Sequence, residues 1–169
     1  LRIARHQHRL RGIERRRLVQ YVDHRVEVVL ERALGTERLG IDRHEEVAEA
    51  VRGAAGPLLI SGGGTRGVTG AGVVLDISGL SGITLYEPGA LTLVVRAGTP
   101  LAEVEAVLAA EGQRLAFEPG NWRGLMGTDG VPTVGGVAAA NVAGPRRVQA
   151  GAARDALLGL RFVDGTGVG

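Results

Sequence analysis

Three consecutive glycines, Gly62, Gly63 and Gly64, lie between two short apolar runs, Leu58 to Ile60 and Val73 to Ile77. No other feature restricts the fold of this chain as much. Without Cβ atoms the loop backbone reaches φ > 0 and can turn successive N–H groups into one concavity. The order reads as strand, glycine-rich loop, strand. A concavity of amides suits phosphate. Ser61 and Thr65 add hydroxyl donors beside it, and Arg66 adds a positive charge.

The same glycines admit other readings. Gly62, Gly64 and Gly67 satisfy G-x-G-x-x-G, the dinucleotide fingerprint that requires a helix directly after the loop. Here Val68, Thr69, Gly70, Ala71, Gly72, Val73 and Val74 follow, a poor helix start because glycine and β-branched residues dominate it. A plain glycine-rich turn without a ligand stays open on this stretch alone.

Composition removes several kinds of chemistry. Cysteine is absent, so no disulfide, thiolate metal site or cysteinyl cofactor link can form. All four histidines (His6, His8, His24, His44) precede residue 45, which excludes a Ser-His-Asp triad or a histidine metal cluster from the body of the chain. Net charge is only +2, too little to argue for a nucleic-acid partner. Ten of the 20 basic residues, all arginine, fall in the first 38 positions. That stretch reads as a solvated, Arg-rich extension over residues 1–39. A helix face formed by Leu18, Val19, Val22, Val26, Val29, Leu30 and Leu34 runs through it. A basic arm for nucleic acid is the alternative. No apolar run is long enough to span a membrane, and the lack of cysteine suits a cytoplasmic setting.

Residues 42–55 read as an amphipathic helix, with Asp42 as cap and Glu45 and Glu46 in the first turn. Strands follow at 83–86 and 91–97 around a Glu87-Pro88-Gly89-Ala90 turn. Thr99 and Pro100 then open a helix as N-cap and first residue, and Gly112 stops it. Residues 121–131 read as a loop carrying Trp122 and Met126. Residues 158–163 read as a strand with a hairpin signal at Asp164-Gly165. The text stops soon after, as if in mid-motif.

A second glycine constellation, PTVGGVAAANVAGPRR, covers residues 132–147. Gly135 and Gly136 bare the backbone for a flat ligand, and Asn141 offers polar atoms and tolerates the left-handed region. A tightly packed Ala/Gly helix with an Asn cap explains the same letters.

Taken in order, EEVAEAV, ISGGGT, RAGTPLAEVEAVL, EPG, PTVGGVAAANVAGPRR and GAARDALLGLRFVDGTG make residues 40–167 resemble the PCMH-type FAD-binding domain. This is the domain of the vanillyl-alcohol oxidase / p-cresol methylhydroxylase flavoproteins. Within it, the last two segments are most similar to FAD-binding subunits of bacterial glycolate oxidases. The resemblance implies an α+β fold of two sheet subdomains with flanking helices, here incomplete over residues 40–169, with FAD extended between them. It implies that Ser61, Gly62, Gly63, Gly64 and Thr65 hold the pyrophosphate, with Thr69 and Gly70 further along the same loop. Pro119, Gly120, Thr133, Gly135, Gly136 and Asn141 would line the ribityl and flavin region. Arg154 and Asp155 match a recurrent structural pair.

Some members of the family tether FAD through a histidine at the end of the loop or through a cysteine. This loop ends in Thr65-Arg66 and the chain has no cysteine, so the implied FAD is non-covalent. The implied setting is a flavin-dependent 2-hydroxy-acid (glycolate) oxidoreductase. It would work with a catalytic flavoprotein subunit and an iron–sulfur subunit, in the cytoplasm or peripheral to the inner membrane. A non-catalytic FAD-holding or assembly subunit is the alternative. The resemblance assigns no catalytic residue to this chain.

Overall fold

The computed structural model describes residues 19–20, 28–29, 38–67 and 69–169. Two short strands come first, β1 (Val19–Gln20) and β2 (Val28–Val29), paired antiparallel with Val19 opposite Val29. They correct the helix read through this stretch. The β-branched valines at both sites suit a pleated ladder better than a helix. The rest of that helix and the arginine-rich stretch ahead of it lie outside the described residues.

The central sheet is parallel, built from β3 (Arg38–Gly40), β4 (Leu58–Ser61) and β5 (Val73–Asp76) in the order β3-β5-β4. Leu39 and Ile60 both pair with Leu75, which is completely buried. β3 starts at Arg38, so the sheet reaches two residues into the stretch read as an extension. Helix α1 (His44–Gly53) makes the crossover from β3 to β4. At its start the Glu46 carboxylate accepts hydrogen bonds from the amides of Asp42 and Arg43, both at 3.3 Å. The cap position is therefore Arg43, closed by the Glu46 carboxylate, rather than Asp42. The connection from β4 to β5 is the glycine loop, residues 62–72, with no helix among its described residues. A parallel pair needs about a dozen residues to cross over. This loop supplies them as open backbone, which removes the Rossmann reading.

An antiparallel hairpin, β6 (Ile83–Glu87) and β7 (Thr92–Val95), turns through a single 3₁₀ turn, Pro88–Ala90, and a left-handed Leu91. Helix α2 (Leu101–Ala110) buries Val104 and Leu108. Thr99 does not cap it. Its hydroxyl is buried and turned to Gly82, accepting from the Gly82 amide at 2.9 Å and donating to its carbonyl at 3.2 Å. Pro100 sits at the cap position instead.

The rest of the chain is loop interrupted by short helices: α3 (Arg123–Met126), α4 (Val134–Ala140), α5 (Arg147–Ala150) and α6 (Ala153–Ala156). α3 interrupts the stretch read as a plain loop. The strand read at 158–163 does not form, because among the described residues no strand pairs with it. The hairpin signal after it makes a closed turn. The Asp164 amide donates to the Val168 carbonyl at 2.8 Å, while its carboxylate takes the Thr166 amide at 2.8 Å and hydroxyl at 2.6 Å. Arg52 on α1 ties this turn down through the Gly167 carbonyl at 2.8 Å.

Candidate functional site

The glycine loop leaves β4 and runs directly against residues 131–133. A Cβ on Gly63 would fall on the Val131 carbonyl, and one on Gly62 would sit 3.1 Å from the Thr133 hydroxyl oxygen. Glycine is needed here so that two backbones can touch. Gly64 differs, with φ +66° and nothing within 4 Å of the place a Cβ would occupy. The loop thus packs on one side and opens on the other. Thr128 closes its far end, its hydroxyl donating to the Thr65 carbonyl at 2.8 Å.

The amides of Gly62, Gly63, Gly64, Thr65 and Arg66 donate to no acceptor among the described residues. The Ser61 and Thr65 hydroxyls likewise bond to none of them. Folded proteins satisfy nearly all backbone donors internally or with solvent or ligand. Five successive amide donors, three of them on glycines, are thus left for solvent or ligand, the kind of run from which an anion cradle is built.

Residues 131–137 make one wall. Backbone bonds fix them to the end of β7 and the start of α2: Leu101 N–H to Pro132 O at 2.8 Å, Val134 N–H to Thr99 O at 3.0 Å, Gly135 N–H to Ala97 O at 2.7 Å. Thr133 caps α4, its hydroxyl accepting the Gly136 amide at 3.3 Å. The other wall is residues 118–122, bridged to 142–144 through Pro119 and Ala143. Gly144 N–H donates to Glu118 O at 2.7 Å and Gly120 N–H to Val142 O at 3.3 Å.

Two adjoining cavities share Gly120, Asn121 and Trp122. The larger, about 470 Å³, lies between residues 118–122 and 143–145. The smaller, only about 10 Å³, reaches from Trp122 to Thr65 and Arg66, with Thr133 and Gly136 behind. Thr65 and Arg66, which follow the three glycines, and the 132–137 segment therefore face one cleft, while Ser61 and the glycines themselves line neither cavity. Its charged groups differ in their surroundings. Glu118 is held by Arg146, through the Nε at 3.4 Å and the backbone amide at 3.2 Å. Arg66 is half-buried, and burial pulls its guanidinium below its ordinary pKa, with no carboxylate beside it among the described residues.

The residues singled out in the sequence divide accordingly. Thr65, Gly120, Thr133 and Gly136 line the smaller cavity, and Pro119 lines the larger. Gly62 and Gly63 form the packed side of the loop and Gly64 its open side. Thr69 and Gly70 line neither cavity. Gly135 faces Ala97, where a Cβ would meet the Ala97 carbonyl at 2.8 Å, so its bare backbone serves packing rather than the cleft. Asn141 ends α4 in the left-handed region, its side-chain oxygen accepting the Arg154 amide at 3.1 Å. The packed Ala/Gly helix with its Asn cap is thus the observed form of that segment. Asn121 and Trp122 are cleft residues that carry no periodic signal. Their only mark in the sequence is a lone tryptophan inside a glycine-rich loop.

A family model described as an FAD binding domain matches residues 41–168. This chain belongs to the FAD binding domain family. Glycolate oxidase subunit GlcE of Escherichia coli (strain K12) is 37% identical over 126 residues, covering 73% of this chain and 34% of that protein. The chain therefore spans about a third of the length of this relative. Among solved structures, alkyldihydroxyacetonephosphate synthase in P1 and in P212121 matches with TM-scores of 0.54 and 0.52. Identity is 19% in both, over 70% of this chain and 24% and 23% of theirs, a likeness of fold. The α+β architecture is that of PCMH-type flavoproteins. The residues fit the family's cofactor in two places: open amides at 62–66 for a diphosphate, and a cavity in the range of small-molecule sites that adjoins them through Gly120, Asn121 and Trp122.

Proposed function

We propose that this chain is the FAD-holding part of a flavin-dependent 2-hydroxy-acid oxidoreductase of the glycolate oxidase type. The five open amides at residues 62–66, beside the cleft, are the observation that carries this reading. Gly62, Gly63, Gly64 and Thr65 would hold the diphosphate, with the Ser61 hydroxyl at the edge of the loop. Pro119, Gly120, Thr133 and Gly136 would lie along the rest of the cofactor, with Thr69, Gly70, Gly135 and Asn141 supporting the segments that do so. FAD is held without a covalent bond, since the loop offers neither histidine nor cysteine.

When bound, FAD supplies the two-electron acceptor for oxidation of a 2-hydroxy acid such as glycolate. The chain's own residues bind and orient it. Trp122 and the 118–122 wall limit water on one side, and the Thr133 segment does so on the other. A catalytic flavoprotein subunit and an iron–sulfur subunit are the partners of this reading, in the cytoplasm or peripheral to the inner membrane through those partners. No helix among the described residues is long and apolar enough to cross one.

A second reading, an FAD-holding or assembly subunit without chemistry of its own, is favoured by one observation. Glu118, the carboxylate lining the larger cavity, is already engaged by Arg146. Reconstitution with FAD, acid precipitation and glycolate addition separate these readings. Flavin that binds, is released by acid and bleaches with glycolate supports the first. Bound flavin that glycolate does not bleach supports the second. A chain that takes up no flavin refutes both.

A further inference from the structure

We infer that Arg66 is the residue that makes this cleft select a diphosphate-bearing dinucleotide over the bare flavin, an inference that rests on the FAD reading above. Of the arginines among the described residues, Arg38, Arg43, Arg146 and Arg154 are paired with carboxylates. Arg52, Arg123 and Arg147 donate to backbone carbonyls. Arg96, Arg114 and Arg161 have no partner there but are exposed, so water solvates them. Arg66 combines partial burial with the lack of any hydrogen-bonding or ionic partner among the described residues. A half-buried guanidinium gives up part of its hydration, and an anionic ligand in the same cavity would make up for it.

Its position says which ligand. Arg66 closes the run of five open amides and lines the same small cavity as Thr65, Trp122 and Thr133. Neutral amides solvate an anion but do not neutralise it. A guanidinium at the end of the cradle adds a charge-assisted contact, with the planar fork that phosphate geometry favours. The isoalloxazine and ribityl parts of the cofactor carry no charge for it to meet. Arg66 therefore acts on the diphosphate and leaves recognition of the ring to the rest of the cleft.

The test compares wild-type chain with Arg66→Gln and Arg66→Lys in titrations with FAD, ADP and riboflavin, alongside thermal unfolding of each ligand-free protein. Arg66→Gln should weaken FAD and ADP about 10-fold or more while leaving riboflavin within about 2-fold. Arg66→Lys should recover part of the loss, since it keeps the charge but not the fork. Ligand-free Arg66→Gln should unfold at or above the wild-type temperature, because a desolvated cation has been removed. Equal FAD affinity in wild type and Arg66→Gln would overturn the inference and leave the cofactor reading standing. So would an equal loss for riboflavin. Wild-type chain that binds neither FAD nor ADP would overturn the cofactor reading and this inference together.

Discussion

Gly63→Ala tests whether the loop and the 131–133 segment are built as one surface. The added Cβ would fall on the Val131 carbonyl, with the carbonyl carbon at 2.6 Å and Thr133 Cγ2 at 3.2 Å. The obstructing atoms are backbone, so no rotamer change relieves the overlap, and one segment has to move away from the other. Overpacking of this kind costs about 1–3 kcal/mol, and the fixed backbone puts this site at the upper end. Two neighbours calibrate it. At Gly64 a methyl meets open space, but φ is +66°, so Ala there carries only the left-handed penalty of about 1–2 kcal/mol. At Gly56 nothing lies within 4 Å and φ is not left-handed, so Ala should change stability by less than about 1 kcal/mol, in the stabilising direction. Urea midpoints at constant slope measure all three. The order of stability should be Gly56→Ala, Gly64→Ala, Gly63→Ala, from highest to lowest. Both loop variants should also weaken FAD binding, since each displaces the backbone that carries the open amides. A Gly63→Ala midpoint equal to that of Gly56→Ala would refute the packed-loop argument.

Other consequences follow from the packing and the charges. Burial acts against the Asp76 carboxylate, but the Ser78 amide and hydroxyl and the Arg38 guanidinium at 2.9 Å outweigh it and hold its pKa below the ordinary value. With the folded pKa depressed, its stabilisation is present above the unfolded pKa and is lost as pH falls through the folded one. Asp76→Asn should therefore cost about 1 kcal/mol at neutral pH and reduce the difference from wild type in acid, read from denaturation midpoints across pH. Thr99→Val strips the Gly82 amide of its buried acceptor, while the Gly82 carbonyl keeps the Arg96 amide at 3.0 Å, and should cost about 1–3 kcal/mol by the same assay, whereas an unchanged midpoint would mean that water replaces the hydroxyl. Trp122 is the single tryptophan of the chain and lies where the two cavities meet, so its fluorescence should be quenched saturably by FAD. Binding that leaves the emission unchanged would place the cofactor elsewhere.

Two of the three strands of the central sheet were readable because they carry the apolar runs that a buried parallel sheet requires, Leu58 to Ile60 and Val73 to Ile77, whereas β3, three residues long, lies mostly in the stretch read as an extension. α2 was readable from the spacing of Val104 and Leu108, and Gly112 stops it as read, with φ +66°. What escaped has identifiable causes. Thr99 has the letter of an N-cap, yet a contact 17 residues away with Gly82 claims its hydroxyl. α3, α5 and α6 are each 4 residues long, too short to carry a period. Residues 158–163 have strand composition, but a strand is defined by its partner, and composition does not supply one. In the cleft, the glycine loop was legible because only backbone is needed there. Gly135 was not, because a glycine laid bare for a ligand and one pressed against Ala97 look the same in sequence. Arg66 was legible as a charge beside the amide concavity, but its partial burial was not. The absence of a carboxylate beside it is a property of the folded chain.

Hydrogen–deuterium exchange of the chain with and without saturating FAD addresses the shared cleft most directly. The open amides of residues 62–66 should exchange fast in the free protein and slow markedly when FAD is bound, with residues 131–137 slowing in parallel. Protection confined to one of these segments, or to neither, while FAD is demonstrably bound would contradict a cofactor site formed between them.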